Sequence, residues 1–262
     1  MNTRNIDYTD LFSKKSDAYA KFRPGYGQPA IDKILEPFAG KTHTLAVDIG
    51  AGTGIASRLL ADEGVGVVGI EPNMNMIKAA APHCRVQYKQ ATAENTSLAS
   101  NTADLVTCFQ AFHWFDFKKS LKEFNRILKQ SGRLALVWNY WDEDDEFTFR
   151  YSQLINKSAS KNPHRVAPYP KNIAGYSKKW RIRFLWKFRI SPYFSNIHRY
   201  TFKYSESMCS NTLIGCAKSQ SYILHNGSEW DRLCTEIKDL CSDYDRPKLA
   251  HNINVFIGKP DK

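Results

Sequence analysis

The chain has 262 residues, is 42% hydrophobic and 24% charged, and carries a formal net charge of +11. This composition is typical of a globular domain with a sizeable core. No apolar run approaches the ~20 residues of a membrane span, and the first twenty residues are polar, so we expect neither a transmembrane segment nor a secretory signal. Six cysteines without a C-x-x-C pair favour buried thiols over disulfides or a metal site, which predicts a cytoplasmic location.

Strand and helix signals alternate along most of the chain. Residues 1–40 predict a helical preamble that is broken at Pro24-Gly25. Strands are predicted at 44–49, 65–70, 86–90, 103–109 and 132–138, and helices at 55–63, 73–81, 117–130 and 229–241. Two later strands are predicted over 198–204 and 252–257. The alternation is typical of a parallel, doubly wound α/β sheet.

Three glycines at alternate positions separate the first predicted strand from its helix. Gly50, Gly52 and Gly54 allow a sharp turn and the close approach of a ligand. Free backbone N–H groups at the helix start favour an anionic ligand group. The spacing G-x-G-x-G differs from the dinucleotide fingerprint G-x-G-x-x-G, because Ile55 occupies the sixth position.

Two acidic residues flank this loop. Asp48 would repel a pyrophosphate but would attract a ligand that carries an amino group and a sulfonium. Glu71, at the end of the second strand, suits the hydroxyls of a ribose. A tight turn beside a surface carboxylate is the alternative, and the combination of both acids with the strand-helix-strand context disfavours it.

Further motifs follow each strand: Glu71-Pro72-Asn73-Met74, then Ala93-Glu94, then Gln110-Ala111-Phe112-His113-Trp114-Phe115. With the glycine loop they resemble the class I S-adenosylmethionine-dependent methyltransferases. The last block, and Arg23-Pro24-Gly25-Tyr26 upstream, resemble the small-molecule subgroup called type 11, which includes trans-aconitate-like methyltransferases. The resemblance covers roughly residues 8–140.

The resemblance implies a Rossmann-like sheet of seven strands, the last antiparallel, with helices on both faces and a cap insertion. Residues 1–262 would form one methyltransferase domain with a preamble (1–40), a core (41–141 and 196–262) and a cap over the acceptor site (142–195).

The resemblance also implies S-adenosylmethionine as the cofactor, bound by Tyr19, Arg23, Asp48, Gly50, Gly52, Gly54, Glu71, Met74, Ala93, Glu94 and Gln110. His113 and Trp114 would lie near the transferred methyl group as catalytic residues. Competing interpretations are a solvated surface for Arg23, core packing for Met74, a loop charge for Glu94 and a structural role for His113. For Trp138 we expect core packing. Ser219, Ser221 and Tyr222 are weaker candidates to bind an acceptor carboxylate.

The positive charge is concentrated in one span. Residues 147–205 contain thirteen Lys and Arg and no Asp or Glu. We expect such a cap to steer a small anionic acceptor, which predicts carboxyl O-methylation by in-line positioning. The alternative is a methyltransferase for RNA, DNA, or a lipid or quinone, which would use the basic residues with Trp180, Phe184, Trp186 and Phe188. A non-catalytic cofactor-binding protein is disfavoured by the intact loop. The sequence does not predict an oligomeric state.

Overall fold

The computed structural model describes residues 20–161, 186–220 and 222–262. Within these residues, seven strands form one sheet in the order β3-β2-β1-β4-β5-β7-β6. The strands are β1 (Leu45–Ile49), β2 (Gly66–Ile70), β3 (Val86–Lys89), β4 (Ala103–Phe109), β5 (Leu128–Trp141), β6 (Phe194–Ser207) and β7 (Lys248–Pro260). β7 runs antiparallel to β5 and β6, and the first five strands are parallel. The doubly wound sheet with an antiparallel last strand, predicted from the sequence, is confirmed.

Helices cover both faces of this sheet. They are α1 (Gln28–Leu35), α2 (Ile55–Asp62), α3 (Met74–Lys78), α4 (Phe117–Ile127), α5 (Glu146–Ser160), α6 (Ser210–Ser219) and α7 (Ser228–Ser242). α1 and α2 share one hydrophobic cluster with the sheet, and α4 shares the cluster on the other face. β4 is buried over its whole length because both of its faces are covered.

The boundary between α4 and β5 differs from the prediction. The helix was predicted over 117–130 and the strand from 132, with Gly132 as the stop. The helix instead ends at Ile127, because Leu128 takes an extended backbone and pairs with Ala103 of β4. Lys129, which suits a helix by propensity, binds the Asp104 carboxylate at 2.9 Å. This is a tertiary contact that local sequence does not reveal.

Three helices build a second layer at the carboxyl edge of the sheet. α5, α6 and α7 enclose a separate hydrophobic cluster that includes Tyr151, Leu213 and Ile237. The cluster joins the sheet at Trp141, the last residue of β5, whose ring meets that of Tyr151 edge to face at 5.4 Å. This layer therefore lies at the end where parallel strands present ligand sites.

The cap insertion predicted at 142–195 reaches both ends of the sheet. Its first part, α5, lies at the carboxyl edge. Its last part leads to Phe194, which starts β6 beside Pro260 at the opposite edge. Residues 162–185 lie outside the described residues, and the division into core and cap stays a prediction. No helix in the described ranges is both long and apolar enough to cross a bilayer.

Candidate functional site

The glycine loop joins β1 to α2 and has an unusual backbone. Gly50, Gly52 and Gly54 have φ angles of 70°, 58° and 74°, the left-handed region that favours glycine. A Cβ on Gly50 would lie 2.5 Å from the Ala111 Cβ, and one on Gly54 would lie 1.7 Å from the Tyr88 hydroxyl. Two of the three glycines are thus required by the protein's own packing.

Gly52 differs from its neighbours in what surrounds it. A Cβ there would meet only the Met76 side chain among the described residues, at 3.4 Å. Its backbone N–H donates to Glu71 Oε2 at 2.9 Å, while Glu71 Oε1 accepts from the Asn73 N–H at 2.9 Å. Glu71 therefore connects the glycine loop to the start of α3. The open space at Gly52 beside a buried carboxylate fits a nucleoside.

Asp48 lies beneath the loop and is 1% exposed. Its carboxylate accepts from the Ser57 hydroxyl at 2.6 Å and from the Thr107 hydroxyl at 3.0 Å. Burial raises the Asp48 pKa to about 6, against the lowering effect of these two hydrogen bonds, and the nearby Glu71 charge adds to the rise. Asp48 thus ties β1 to α2 and β4, and its charge acts on the loop from below.

The predicted adenine contacts occupy different environments. Met74, the first residue of α3, is 39% exposed, so it is not the core residue that the competing interpretation required. Ala93 is buried in the cluster on the α4 face. Glu94 is partly exposed, and its Oε1 accepts from the Asp116 N–H at 2.8 Å, where α4 begins. Their contacts with adenine stay predictions.

The block after β4 brings Gln110, His113 and Trp114 to the carboxyl edge. Gln110 has a φ of 55°, and its Nε2 donates to the Asn139 carbonyl at 2.5 Å at the end of β5. A strained non-glycine residue at a strand end is typical of a functional site. His113 and Trp114 lie in one turn of 3₁₀ helix with ring centroids 5.0 Å apart.

His113 is a neutral imidazole in this environment. Burial lowers its pKa to about 3, and a group with so low a pKa is a weak base near neutral pH. The structure therefore places His113 where the sequence predicted it, at the strand end, but with little capacity to take a proton.

Residues 20–27, the N-terminal segment, cross the carboxyl edge. The Tyr26 ring packs on Phe109 at 4.6 Å, and the Gly25 carbonyl accepts from Asn139 Nδ2 at 3.1 Å. Arg23 Nη2 donates to Gln220 Oε1 at 3.0 Å at the end of α6. Arg23 thus belongs to a packed segment and is not a solvated helix surface. Tyr19 lies outside the described residues.

Three residues at the site were not predicted. Tyr88 of β3 packs against Gly54 and Gly69, Met76 of α3 lies under Gly52, and Asn139 joins β5 to the N-terminal segment. Spacing around a motif does not predict these residues, since each comes from another element. Trp138, in contrast, is 1% exposed, so the predicted core packing is confirmed. Ser219 and Tyr222 are also buried, and Ser221 is outside the described residues.

The basic span is not one continuous surface. Its cations on α5 or directly after it pair with carboxylates on α7 or directly after it: Arg150 with Asp243, Lys157 with Glu236 and Lys161 with Glu229. These paired cations offer less free positive charge to an anionic acceptor, and the role of the basic span stays a prediction. Six of the thirteen cations lie within 162–185, outside the described residues.

The six cysteines are free thiols in different environments. Cys108 and Cys216 are buried, whereas Cys84 and Cys209 are exposed, so the expectation of buried thiols is wrong for these two. No group of His, Cys, Asp and Glu suited to a metal ion occurs within the described ranges.

Comparison with known proteins agrees with this geometry. Residues 47–136 match the type 11 family model described as a methyltransferase domain. A methyltransferase relative from Dictyostelium discoideum is 35% identical over 133 residues, which are 51% of this chain and 50% of the relative. The chain thus spans half the length of that relative.

Two broader matches extend the similarity. An uncharacterized methyltransferase from Mycobacterium bovis is 28% identical over 228 residues, which are 86% of this chain and 82% of the relative. A methyltransferase structure from Anaeromyxobacter dehalogenans covers 91% of this chain and 98% of its own with a TM-score of 0.64 at 20% identity, which shows a common fold. With the glycine loop and Glu71 at the carboxyl ends of β1 and β2, these matches show that residues 47–136 match an S-adenosylmethionine-dependent methyltransferase domain.

Proposed function

We propose that the protein methylates a small organic acid on a carboxylate oxygen, with S-adenosylmethionine as methyl donor. The observation that carries the proposal is the weak basicity of His113, whose pKa burial lowers to about 3. Phenol, hydroxyl and ammonium acceptors must lose a proton to react, whereas a carboxylate is already ionised at neutral pH. A site with a poor base therefore suits a carboxylate acceptor.

The covered carboxyl edge supports a small acceptor. The N-terminal segment packs on Phe109 of β4, on Asn139 of β5 and on α6. An acceptor over β4 and β5 would lie beneath this segment, where a folded nucleic acid has little room. Phe188, a candidate for base stacking, is fully buried in the core, which removes one aromatic from the nucleic-acid alternative.

The residues of this chain would then bind and orient. Glu71 and the open face of Gly52 hold the nucleoside, and Asp48 supplies negative charge below the loop. Arg23 presents a planar guanidinium suited to the carboxylate at the methionine end of the cofactor. The bound cofactor supplies a methyl group on a positively charged sulfur, which a carboxylate oxygen can accept without proton release. His113, Trp114 and the N-terminal segment exclude water, which favours the reaction of opposite charges.

A panel of acceptors tests this proposal. Labelled S-adenosylmethionine is incubated with the protein and with di- and tricarboxylic acids, phenols, phosphoethanolamine, quinones and RNA, and the products are tested for base-labile methyl esters. We expect methyl esters from at least one of the acids. The methylation rate should show no pH dependence with a pKa of 6 to 7, as it would if His113 acted as an ordinary histidine base. Methylation of a phenol, amine or RNA and of none of the acids would overturn the proposal.

Two His113 variants sharpen the result. If His113 only shapes the site, His113→Asn should keep kcat within about tenfold, because general-base loss typically costs 10²–10⁴. A loss near the upper end of that range, with cofactor affinity unchanged, would show that His113 does take a proton. His113→Phe, which keeps an aromatic ring but loses both nitrogens, separates packing from hydrogen bonding.

A further inference from the structure

One helical turn at residues 186–190 shows an exposed apolar side. The Ile190 N–H donates to the Trp186 carbonyl at 3.1 Å, which closes the turn. Since residues in a helix are about 100° apart, Phe188 points away from Trp186 and Ile190. Phe188 is fully buried, whereas Trp186 is 63% exposed and Ile190 59% exposed. The turn is thus anchored by one aromatic residue and presents two large apolar side chains to solvent.

The turn lies at the end of the sheet opposite the glycine loop. Phe188 packs on Phe194, the first residue of β6, with ring centroids 6.1 Å apart. Phe194 pairs with Pro260, and Gly258 pairs with Leu134, where the pairing between β5 and β7 begins. The cofactor loop follows the carboxyl end of β1, so the two sites are separated by the length of the strands.

Cations surround the two exposed side chains. Lys187, Arg189 and Lys259 are exposed and make no ion pair with any carboxylate in the described ranges. At the same edge, the Arg133 guanidinium donates to the carbonyls of Ser131 and Gly132. We define the basal patch as Trp186, Lys187, Arg189 and Ile190.

The acidic groups at this edge are mostly neutralised. Asp104 pairs with Lys129 at 2.9 Å, and Glu123 pairs with Arg126 at 2.7 Å. Asp261 remains as an exposed carboxylate. In the sequence directly before the basal patch, residues 178–185 add four cations and no acid. Among the described residues cited beside the turn, the exposed cations Lys187, Arg189 and Lys259 outnumber the exposed carboxylate Asp261.

We propose that the basal patch binds the surface of an anionic lipid bilayer. Trp and an aliphatic residue beside Lys and Arg suit the boundary between headgroups and acyl chains, where apolar side chains insert and cations meet lipid phosphates. A nucleic acid would use Trp186 for stacking and the cations for phosphates, but Ile190 offers no ring to stack on. This proposal is independent of the methyl acceptor, because it involves the other end of the sheet.

Vesicle flotation with the full chain tests the proposal. Vesicles of phosphatidylcholine alone are compared with vesicles that also contain phosphatidylserine, at low and at physiological salt. We expect binding to the phosphatidylserine vesicles that weakens with salt. The double variant Trp186→Ser with Ile190→Ser should reduce the bound fraction roughly tenfold or more, as should Lys187→Glu with Arg189→Glu.

Matched variants control for general losses of apolar surface and of charge. Phe149→Ser removes an exposed ring on α5, and Lys218→Glu with Lys238→Glu reverses two exposed cations on α6 and α7. Both should bind vesicles like the unmodified protein. Cofactor binding and the thermal midpoint should be unchanged in every variant, which shows that they fold.

Three results would overturn the proposal. The first is equal binding to both kinds of vesicle at low salt. The second is loss of homopolymer RNA binding in the patch variants without loss of vesicle binding, which would identify a nucleic-acid surface. The third is a dimer in gel filtration that the Trp186 and Ile190 variants convert to monomers, which would show that a second copy covers the patch.

Discussion

At the residue scale, the three glycines of one motif are present for different reasons. Gly50 and Gly54 leave space for Ala111 and Tyr88, whereas the space beside Gly52 is open in the described structure. A sequence motif does not separate these roles, since all three positions have a positive φ. They can be separated by measuring stability and ligand affinity on the same variants.

We expect Gly52→Ala to lose cofactor affinity with only the moderate loss of stability that its left-handed backbone causes. The Cβ would fill the ligand's space and the left-handed backbone would cost about 1–2 kcal/mol. Gly54→Ala should lower the free energy of unfolding by more, because its Cβ meets the Tyr88 hydroxyl. Calorimetric titration with S-adenosylmethionine and thermal unfolding give both quantities.

The second variant has its own control. Tyr88→Phe removes the clashing oxygen, so Gly54→Ala in a Tyr88→Phe background should recover part of the lost stability. If the folded Gly52→Ala variant binds the cofactor with unchanged affinity, then Gly52 does not face the ligand. The assignment of the glycine loop to cofactor binding would then be wrong.

Asp48 predicts a pH dependence of cofactor binding. Its pKa of about 6 means that the carboxyl is neutral well below pH 6 and ionised above. The positively charged sulfonium favours the ionised form, so affinity for S-adenosylmethionine should rise as pH increases through 6. Affinity for S-adenosylhomocysteine, which has no sulfonium charge, should rise less. The ratio of the affinities for S-adenosylmethionine and S-adenosylhomocysteine, measured from pH 5 to 8, tests this. In Asp48→Asn this ratio should change little with pH.

The same group affects stability with the opposite sign. Because the folded pKa is raised above the usual value of 3.8, burial of Asp48 costs most when it is ionised. The contribution of Asp48 to the free energy of unfolding is fully present below pH 4 and is lost as pH rises through about 6. The total loss is up to about 3 kcal/mol. Asp48→Asn should therefore be relatively more stable at pH 8 than at pH 5. Equal differences at both pH values would show that Asp48 is not titrating.

At the element scale, the N-terminal segment connects the sheet to the helical layer. Phe22 packs on α6 so closely that a Cβ on Gly215 would lie 2.3 Å from its ring, and the Phe22 carbonyl accepts from the Cys216 thiol at 2.6 Å. Arg23 follows directly and reaches Gln220. The position of Arg23 thus depends on a small residue in a helix far away in sequence.

Gly215→Val should displace the N-terminal segment from α6. We expect faster limited proteolysis near residues 20–27, a lower kcat/KM for the acceptor and a smaller change in cofactor affinity, since the glycine loop is untouched. Gly25→Ala is the matched control, because its Cβ makes only an ordinary 3.8 Å contact with Leu59. Activity of Gly215→Val equal to that of Gly25→Ala would show that the segment does not need this contact.

At the scale of the whole molecule, the thirteen cations of residues 147–205 are divided among four places, one of which is β6 with Arg199 and Lys203. The cations of α5 are paired with α7, those of the basal patch lie at the opposite edge, and six lie within residues 162–185. If the acceptor is anionic, we expect its steering to depend on the last group, because the cations of α5 are already paired. The net charge of +11 alone does not identify which part acts.

We expect kcat/KM for the acid acceptor to fall as salt rises, with little change in cofactor affinity. Reversal of Lys178, Lys179, Arg181 and Arg183 to Glu should produce a similar fall at low salt. The control is Lys157→Gln with Lys161→Gln, two cations that are already paired. Turnover that responds neither to salt nor to these substitutions would identify the basic span as an ordinary solvated surface.

The sequence by itself determined the order of the strands, the glycine loop and the place of Glu71 and Gln110–Trp114, but it did not predict helices α5 and α6. The doubly wound sheet follows from local periodicity, whereas the methyltransferase assignment follows from the resemblance of motifs that are contiguous in the chain. Helix α7, predicted at 229–241, is observed at Ser228–Ser242, because its amphipathic pattern needs no distant contact to be recognised.

Only the tertiary structure decided the rest. The end of α4 depends on the pairing of Leu128 with Ala103. The neutralisation of the α5 cations depends on the carboxylates of α7, and the lowered pKa of His113 depends on its burial. Each of these properties arises between residues far apart in sequence, where packing and desolvation outweigh local propensity. The basal patch was hidden for the same reason, because only the burial of Phe188 shows that Trp186 and Ile190 face outward.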